Sequence, residues 1–448
     1  MALAKEAIVL AIVGLIIGAA IGSVAFPRTT VSTTTVVSTT TVGGGATATV
    51  TKTTTVTTTA PGAAGGLQGE ITLGLAIAVS GGYAVDGPKR LKGAILAIEE
   101  FNQYLESIGA PFRFTYLHED TGARAETAVA AFNRLVSAGV QVVVGPLSTA
   151  ETAAVMPIAN EHHIVVISPS STGVAAAYPD DFVFRMPPPD TAQGVALASL
   201  IYGLGYTKVA VIARDADYGR GLAQLFKQEF EKMGGTAELL LYQINLPDYA
   251  AEVNQLSTIV SNFGADEQTA VLIIAFDTDG ANILGHAAKD PVLSKVRWFG
   301  PDSMKRTTFL PPEAPEEVGQ FLLQVQFTGT IASIARNPIT DHFEKAYKER
   351  WGIDPTPYAY YAYDAAWIAM LSIVAAGKYD GTAVKEILPT IASHFIGATG
   401  HKLLNENGDA AFADYEIWQV VKTAEGYQFK SIGVWHFSTQ QVEWFEEG

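Results

Sequence analysis

Two hydroxyl-rich segments carry the clearest chemical potential in this sequence of 448 residues. They are GPLSTAET at 145–152 and SPSSTG at 168–173, and each lies where a predicted strand gives way to a predicted helix. Such a junction presents free backbone N–H groups, the positive end of a helix and hydroxyls, which together can hold a carboxylate or another small anion. The hydroxyls concerned belong to Ser148, Thr149, Ser170 and Thr172. Helix capping is the alternative interpretation for either segment alone, whereas two such segments at adjacent strand ends favour a ligand site.

An acidic residue in the second half of the chain could complement this site. Asp302 follows the apolar run VRWFGP, again at a predicted strand end. A carboxylate that faces the hydroxyl segments would pair with an ammonium group, so both sides together would recognise a zwitterion. The alternative is that Asp302 caps a helix or lies in solvent. Tyr218, within the turn DADYGRG, could cover a ligand or pack in a hinge.

Catalytic motifs find little support in the sequence. Because there is no cysteine, the chain has no disulfide, thiolate metal site or cysteine nucleophile. The segment SGGYAVDG does not form GxGxxG, and neither a phosphate-binding GxxxxGK[ST] loop nor a GxSxG elbow is present. The pair His162–His163 lacks the spacing of a helical zinc site, and a capping role for Asp120 is favoured over metal binding by HED at 118–120. We therefore expect no catalytic residue, metal ion or cofactor.

The charge balance excludes one class of partner. The chain carries 45 Asp and Glu against 29 Lys and Arg, which gives a formal net charge of -16. A nucleic-acid-binding protein needs a basic surface that displaces counterions from phosphates, and this sequence provides none. The acidic excess favours solubility and is compatible with cationic or zwitterionic ligands.

The elements that must position these residues alternate in type from Glu70 onward. Short apolar runs alternate with longer amphipathic segments, which is typical of βαβ units and a mostly parallel, doubly wound α/β sheet. One series runs from ITLGLAIAV to IVVISPS, and a second, similar series follows the proline-rich MPPPD at 186–190. Ligands bind such sheets beyond the C-terminal ends of the strands. That rule selects the loops at 80–87, 145–152, 168–173, 214–221, 276–280 and 300–306.

The first 66 residues differ in composition from the rest of the chain. Residues 7–27 carry no charged side chain, and about 20 such residues span a bilayer as a helix. This predicts a membrane anchor over 1–28, with a cleavable signal peptide as the alternative. Residues 29–66 consist largely of threonine with isolated valines and cannot build a core, which predicts a disordered linker. Threonine density of this kind is also typical of O-glycosylated stalks.

At the selected loops the sequence resembles the type I periplasmic binding proteins, and most closely the branched-chain amino-acid binding proteins of ABC importers. The resemblance covers roughly Glu70 to the C-terminus and rests on the order and spacing of short motifs. These are the Ser80-Gly81 turn, the Glu119-Asp120 strand end, VVGPLSTAET, ISPSST, DADYGRG, FDTDG and WFGPD. The resemblance implies two α/β lobes joined by three crossovers near Pro188, Phe327 and Asp414, with the ligand in the cleft between them. The implied division is 67–188 plus 328–414 for lobe 1 and 189–327 plus 415–448 for lobe 2.

The resemblance also implies roles for individual residues. Family members hold the ligand carboxylate at the positions of Thr149 and Thr172, beside the backbone of Leu147 and Ser170; Ser170 O and Thr172 also approach the ammonium. Asp302 matches the acidic residue that binds the ligand ammonium. The aromatic matches are Tyr218 and Phe276, which cover the ligand, and Tyr358, which lies near its side chain.

One position departs from the family pattern. Asp86 stands where the leucine-type binders carry an aromatic residue over the apolar side chain. An unpaired buried carboxylate there would disfavour an aliphatic ligand and could select a polar or basic one. The alternative is a solvent-exposed Asp86 with no part in binding.

These inferences lead to one functional hypothesis and three rivals. The hypothesis is an extracytoplasmic solute-binding protein, tethered to the cytoplasmic membrane by its N-terminal helix, that captures an amino acid or related ligand for an ABC permease. The rivals are the ectodomain of a sensory receptor, a surface enzyme that uses Asp86, His118 or the hydroxyl segments, and a structural surface protein that has lost ligand binding.

Overall fold

The N-terminal region is described only in part. A computed structural model describes residues 66–411 and 413–445 in full and the backbone of 29–42 and 46–59. The backbone of the last two ranges forms an antiparallel pair of strands, β1 (Thr29–Val42) and β2 (Ala46–Thr59). The predicted membrane anchor lies outside the described residues, and the disordered linker stays a prediction.

The first part of the folded region forms a five-stranded, fully parallel sheet, which we call lobe 1 together with its helices. Its spatial order is β4-β3-β5-β6-β7, as expected for a doubly wound sheet. The central strands are continuous apolar runs because helices cover both faces of the sheet. The elements are β3 (Gly69–Ala76), α1 (Asp86–Ser107), β4 (Phe112–Glu119), α2 (Ala125–Ser137), β5 (Val142–Val144), α3 (Thr149–His162), β6 (Val165–Ser168) and β7 (Val183–Arg185).

The second series builds an eight-stranded sheet, which we call lobe 2 together with its helices. Five of its strands are parallel, in the order β12-β11-β10-β8-β9. The elements are α4 (Asp190–Gly203), β8 (Lys208–Arg214), α5 (Asp217–Lys232), β9 (Thr236–Tyr242), α6 (Ala250–Asn262), β10 (Thr269–Ile274), α7 (Asp277–Ala287), β11 (Arg297–Gly300), α8 (Glu316–Gln324) and β12 (Thr328–Ala332). Both doubly wound α/β sheets predicted from the sequence are therefore confirmed.

The remaining chain returns to lobe 1 and then ends in lobe 2. Its elements are α9 (Pro338–Trp351), α10 (Pro357–Ala376), α11 (Gly381–His394), the short strands β13 (Ile396–Gly397) and β14 (Gly400–His401), and then β15 (Tyr415–Thr423), β16 (Gly426–His436) and β17 (Gln441–Trp444). The last three strands extend the second sheet in antiparallel fashion beyond β12. Because β12 pairs in that sheet, the last parallel strand of lobe 2 extends to Ala332, beyond the crossover predicted near Phe327, and the division into lobes stays a prediction.

Helix α10 forms the centre of the lobe 1 core. Its backbone packs so closely on α1 that a Cβ atom added at Gly93 would lie only 2.4 Å from the Ala359 carbonyl oxygen. Among the described residues it is the one helix long and apolar enough to cross a membrane, and 83% of its most apolar window is buried inside the fold. The helix starts at the cleft between the lobes, so the core element also fixes the position of Tyr358.

Candidate functional site

The loops that follow the parallel strands of both lobes meet in a cleft. The lobe 1 wall follows β5 and β6, and the lobe 2 wall follows β8, β10 and β11. The empty space between its walls, including open solvent, is about 250 Å³. The predicted residues that line it are Leu147, Thr149, Ser170, Thr172, Tyr218, Phe276, Asp302 and Tyr358. Ser148 of the first hydroxyl segment also lines it, as do four residues that were not singled out from the sequence, namely Tyr83, Arg90, Ser303 and Arg306.

The two hydroxyl segments form one connected wall of lobe 1. β5 and β6 are neighbouring strands, so the segments after them lie side by side. The Ser168 hydroxyl donates to the Pro146 carbonyl at 2.6 Å, and the Thr149 hydroxyl accepts from the Gly173 N–H at 3.0 Å. Ser148 caps α3 through a reciprocal capping box with Glu151. Ser148 therefore fixes the helix end and also lines the cleft, together with its neighbour Thr149 and with Thr172.

Asp302 faces this wall from lobe 2 and is held by two tyrosines. Tyr218 of lobe 2 donates its hydroxyl to one carboxylate oxygen at 2.7 Å, and Tyr358 of lobe 1 donates to the other. Burial, reinforced by the charge of Asp302, raises the pKa of both tyrosines well above the usual value, so both hydroxyls stay protonated donors. Each carboxylate oxygen keeps a further lone pair for an ammonium group. Asp302 thus connects the two lobes through these hydrogen bonds and also presents its carboxylate to the cleft.

A second carboxylate, Asp190, lies behind the hydroxyl wall of lobe 1 and was not predicted from the sequence. It is 1% exposed, and its backbone N–H donates to the Thr172 carbonyl at 2.9 Å. Within the described part of the chain, neither carboxylate oxygen has a donor in strict hydrogen-bond geometry, although the Thr172 side chain lies close enough to lower the pKa of Asp190 slightly. Burial, reinforced by the charge of Asp302, raises the pKa of Asp190 to about 8. In the sequence this residue ends the run MPPPD and has the pattern of an ordinary helix start, so it gave no signal of a buried acid.

The structure corrects the picture of Asp86, which is neither unpaired nor exposed. Asp86 is 5% exposed and accepts from Arg90 Nε at 2.5 Å. Burial alone would raise the pKa of Asp86, but Arg90 and then Arg306 lower it to about 2. From lobe 2, Arg306 lies 3.8 Å from Asp86 and donates to Asp277 at 2.8 Å. The four groups form a neutral network across the cleft, so the objection to an aliphatic ligand at this position no longer holds.

Arg90 is the site residue with the weakest signal in the sequence, whereas Arg306 ends the selected loop at 300–306. Arg90 lies in GPKRLKG among lysines, which is typical of a solvated helix face, yet it is 0% exposed. Its guanidinium donates to the Ser170 hydroxyl at 2.5 Å and lies 4.4 Å from the centroid of the Tyr358 ring. The available signal was a group of basic residues around a leucine, and the same pattern fits an exposed helix.

Aromatic rings cover the cleft on the lobe 2 side. Tyr218 stacks on Phe276 with ring centroids 5.5 Å apart, and Tyr83 approaches the same ring at 4.7 Å. His118 has no part in the cleft, since its Nε2 lies 2.9 Å from the Ile77 carbonyl oxygen. Among the described residues no cluster of three or more His, Asp or Glu side chains could hold a metal ion.

Comparisons with known proteins agree with this fold. Residues 70–425 match the sequence model of a family described as Periplasmic binding protein. An uncharacterized protein of Methanocaldococcus jannaschii is 26% identical over 85% of this chain and 93% of its own length. Leu/Ile/Val-binding protein homolog 1 of Brucella abortus is 24% identical over 81% of this chain and 93% of its own. The crystal structure of a leucine-binding protein from Thermotoga maritima superposes with a TM-score of 0.66 and 22% identity, covering 81% of this chain and 98% of that one.

Proposed function

The chain belongs to the periplasmic binding protein family, and we propose that it captures an α-amino acid between its lobes and delivers it to an ABC permease. The family consists of ligand-binding proteins, so the coarse activity is solute binding. The proposal adds the ligand class, the importer and an extracytoplasmic location.

The observation that carries the proposal is the opposition of Asp302 to the hydroxyl wall. Thr149 and Thr172 line the cleft at the start of α3 and in the neighbouring loop, where helix N–H groups and hydroxyls suit a carboxylate. Asp302 lines it from lobe 2, where a carboxylate suits an ammonium group. An α-amino acid carries both groups on the same carbon atom. One small ligand could therefore contact both lobes at once.

The rest of the cleft supports an uncharged side chain on the ligand. Tyr83, Phe276 and Tyr358 supply apolar ring faces, and the Asp86–Arg90 pair is neutral as a unit. The names of two relatives refer to leucine, or to leucine, isoleucine and valine, as their ligands. We propose an amino acid with an apolar or weakly polar side chain as the first candidate for this protein.

Closure of the lobes is the proposed coupling to transport. Tyr358 of lobe 1 bonds Asp302 of lobe 2, and Arg306 of lobe 2 lies against Asp86 of lobe 1, so these bonds can exist only when the lobes are together. A ligand that contacts both lobes would favour this state over an open one. The closed form would then present both lobe surfaces to a permease, and the predicted N-terminal anchor would keep the protein at the membrane.

Calorimetric titration of the full chain in detergent against the standard amino acids tests the proposal. We expect saturable binding of at least one of them, with a stoichiometry of one. Asp302→Asn should weaken that binding roughly 10- to 100-fold, because it removes charge-assisted hydrogen bonds. Asp354→Asn is the control, since this exposed aspartate pairs with Lys348 on the surface. If no amino acid binds, or if Asp302→Asn binds as tightly as the wild type, the proposed function is wrong.

The sensory-receptor alternative uses the same cleft and differs in its partner. Ligand binding alone cannot separate the two, whereas reconstitution can. Ligand-dependent ATP hydrolysis by a permease complex, on addition of the liganded full chain, supports import. A liganded chain that stimulates no permease and instead associates with a signalling protein would support the receptor.

A further inference from the structure

A second cavity opens beside the cleft and shares part of its lining. It encloses about 750 Å³ including its open mouth. Ser148, Tyr218 and Phe276 line both spaces, so the aromatic pair forms the boundary between them. The second cavity is otherwise walled by the start of α2 at Ala125 in lobe 1 and by Ala216 before α5 in lobe 2. It is therefore an inter-lobe space at the C-terminal ends of the strands, where ligands bind in this fold class.

Arg214, the last residue of β8, lines this second cavity. Its side chain is only 6% exposed, and its guanidinium carbon lies 3.6 Å from the centroid of the Phe276 ring. Two of its nitrogens, Nε and Nη1, are buried without a hydrogen-bond acceptor among the described residues. A buried guanidinium whose donors lack acceptors is unfavourable, so such a group is normally completed by a partner.

The carboxylates that face Arg214 do not complete it. The nearest is Asp279, whose Oδ2 lies 4.0 Å from Arg214 Nε and already accepts the Tyr242 hydroxyl at 2.6 Å. Its other oxygen accepts the Phe276 N–H at 3.2 Å, at the start of α7. Across the cleft, Glu151 accepts from the backbone and hydroxyl of its own capping box at the start of α3. At the rim of the cavity a second cation, Arg124, lies 3.9 Å from the carboxylate of Glu126, and both side chains are exposed.

We propose that this second cavity is an anion subsite in which the Arg214 guanidinium binds a carboxylate or phosphate group. Guanidinium groups suit both because their planar donors match pairs of oxygens. The group could be a separate small anion or the distal end of an amino acid in the cleft. The second source rests on the proposed amino-acid binding and would replace the uncharged side chain proposed there as the first candidate. The stacked Arg214–Phe276 pair would also couple occupancy of the second cavity to the ring that covers the cleft.

Two titrations of the full chain at constant ionic strength separate the sources. The first uses inorganic phosphate, with chloride adjusted to keep ionic strength fixed. The second compares L-norleucine with L-2-aminoadipate, which has a similar chain but ends in a carboxylate. We expect saturable phosphate binding for a separate anion, or at least tenfold tighter binding of L-2-aminoadipate for a distal group. In either case Arg214→Gln should weaken the anion-dependent binding roughly 10- to 100-fold.

Three variants make the outcome decisive. Arg220→Gln removes the same charge from an exposed neighbour that pairs with Asp215 and should leave the response intact. Arg214→Lys keeps the positive charge but lacks the planar N–H donors of the guanidinium, and it should weaken binding less than Arg214→Gln. Ala216→Leu narrows the cavity without changing Arg214 and should also weaken binding, which covers the case in which Arg214→Gln does not fold.

The failure of this subsite is distinguishable from the failure of amino-acid binding. Phosphate binding that depends on Arg214, together with no binding of either amino acid, would uphold the subsite and overturn the proposed function. Binding of L-norleucine and L-2-aminoadipate with equal affinity, together with no phosphate binding, would overturn the subsite alone. If anion-dependent binding is unchanged in both Arg214→Gln and Ala216→Leu, the subsite is also overturned.

Discussion

The buried acid Asp190 predicts that ligand binding releases a proton. Its pKa of about 8 follows from burial and from the charge of Asp302. At pH 7 about 0.9 of the free protein would therefore carry a proton on Asp190, and at pH 9 about 0.1 would. An ammonium group bound near Asp302 would stabilise the ionised form and lower this pKa. Binding should then release close to one proton at pH 7 and almost none at pH 9.

The same linkage sets the pH dependence of affinity. Below pH 8 the ligand must displace the Asp190 proton, so the dissociation constant should rise about tenfold for each unit that the pH falls. Calorimetry at pH 7 in two buffers of different ionisation enthalpy, such as PIPES and ACES, measures the number of protons released. Asp190→Asn should bind without proton release and without this slope. Identical apparent enthalpies in both buffers for the wild type would refute the reasoning.

Asp190 should also lower the stability of the folded protein near neutral pH. Its folded pKa of about 8 lies above the unfolded value of 3.8, so the folded form binds more protons between these limits. Stability is therefore greatest below the lower limit and is lost as the pH rises through the folded value. A difference of one between the folded and unfolded pKa changes the free energy of unfolding by about 1.36 kcal/mol. The loss of this free energy caused by Asp190 is therefore at most roughly 5 kcal/mol at pH 8. Without ligand, Asp190→Asn should unfold at higher temperature than the wild type at pH 8, and the difference should vanish near pH 4.

Further substitutions test other parts of the structure. Arg185→Met should lower the free energy of unfolding by about 3–5 kcal/mol in urea denaturation, because it leaves Asp409 buried and unpaired; an Arg185→Met, Asp409→Leu double variant should recover most of this loss, and an additive double variant would contradict the explanation. Ser148→Ala should cost about 1 kcal/mol through loss of the α3 cap, and an unchanged midpoint would show that the capping box contributes nothing. Tyr218→Phe should weaken amino-acid binding about tenfold in calorimetry by removing one donor to Asp302, and unchanged affinity would place the ammonium elsewhere.

The positions of the cleft loops could be predicted from the sequence because they follow from topology. Once βαβ alternation is recognised, parallel strands must place their following loops at one edge of the sheet. The hydroxyl segments, Tyr218, Phe276 and Asp302 all stand at such ends, and all line the cleft. The strand β12 lies just beyond the crossover predicted near Phe327, and the turn at Val325 and Gln326 that separates it from α8 contains no glycine or proline to mark it in the sequence.

The charge network could not be predicted because its burial depends on distant parts of the chain. Arg90 stacks on Tyr358, which lies on a helix that returns to lobe 1 only after the five parallel strands of the second sheet. Arg306 lies in a loop of lobe 2, and it meets Asp86 only when the lobes are closed. Local composition around Arg90 and Asp190 matches exposed helix ends, and only tertiary contacts turn these residues into buried groups.

Mass spectrometry of the ligand that accompanies the purified full chain tests the central claim most directly. The protein would be purified without added amino acid, denatured, and its small-molecule extract quantified against protein. We predict one α-amino acid in near-stoichiometric amount, strongly depleted in Asp302→Asn and retained in Asp354→Asn. A co-purified molecule without an α-amino group, or equal amounts in both variants, would contradict the claim that the cleft recognises an amino acid between Asp302 and the hydroxyl wall.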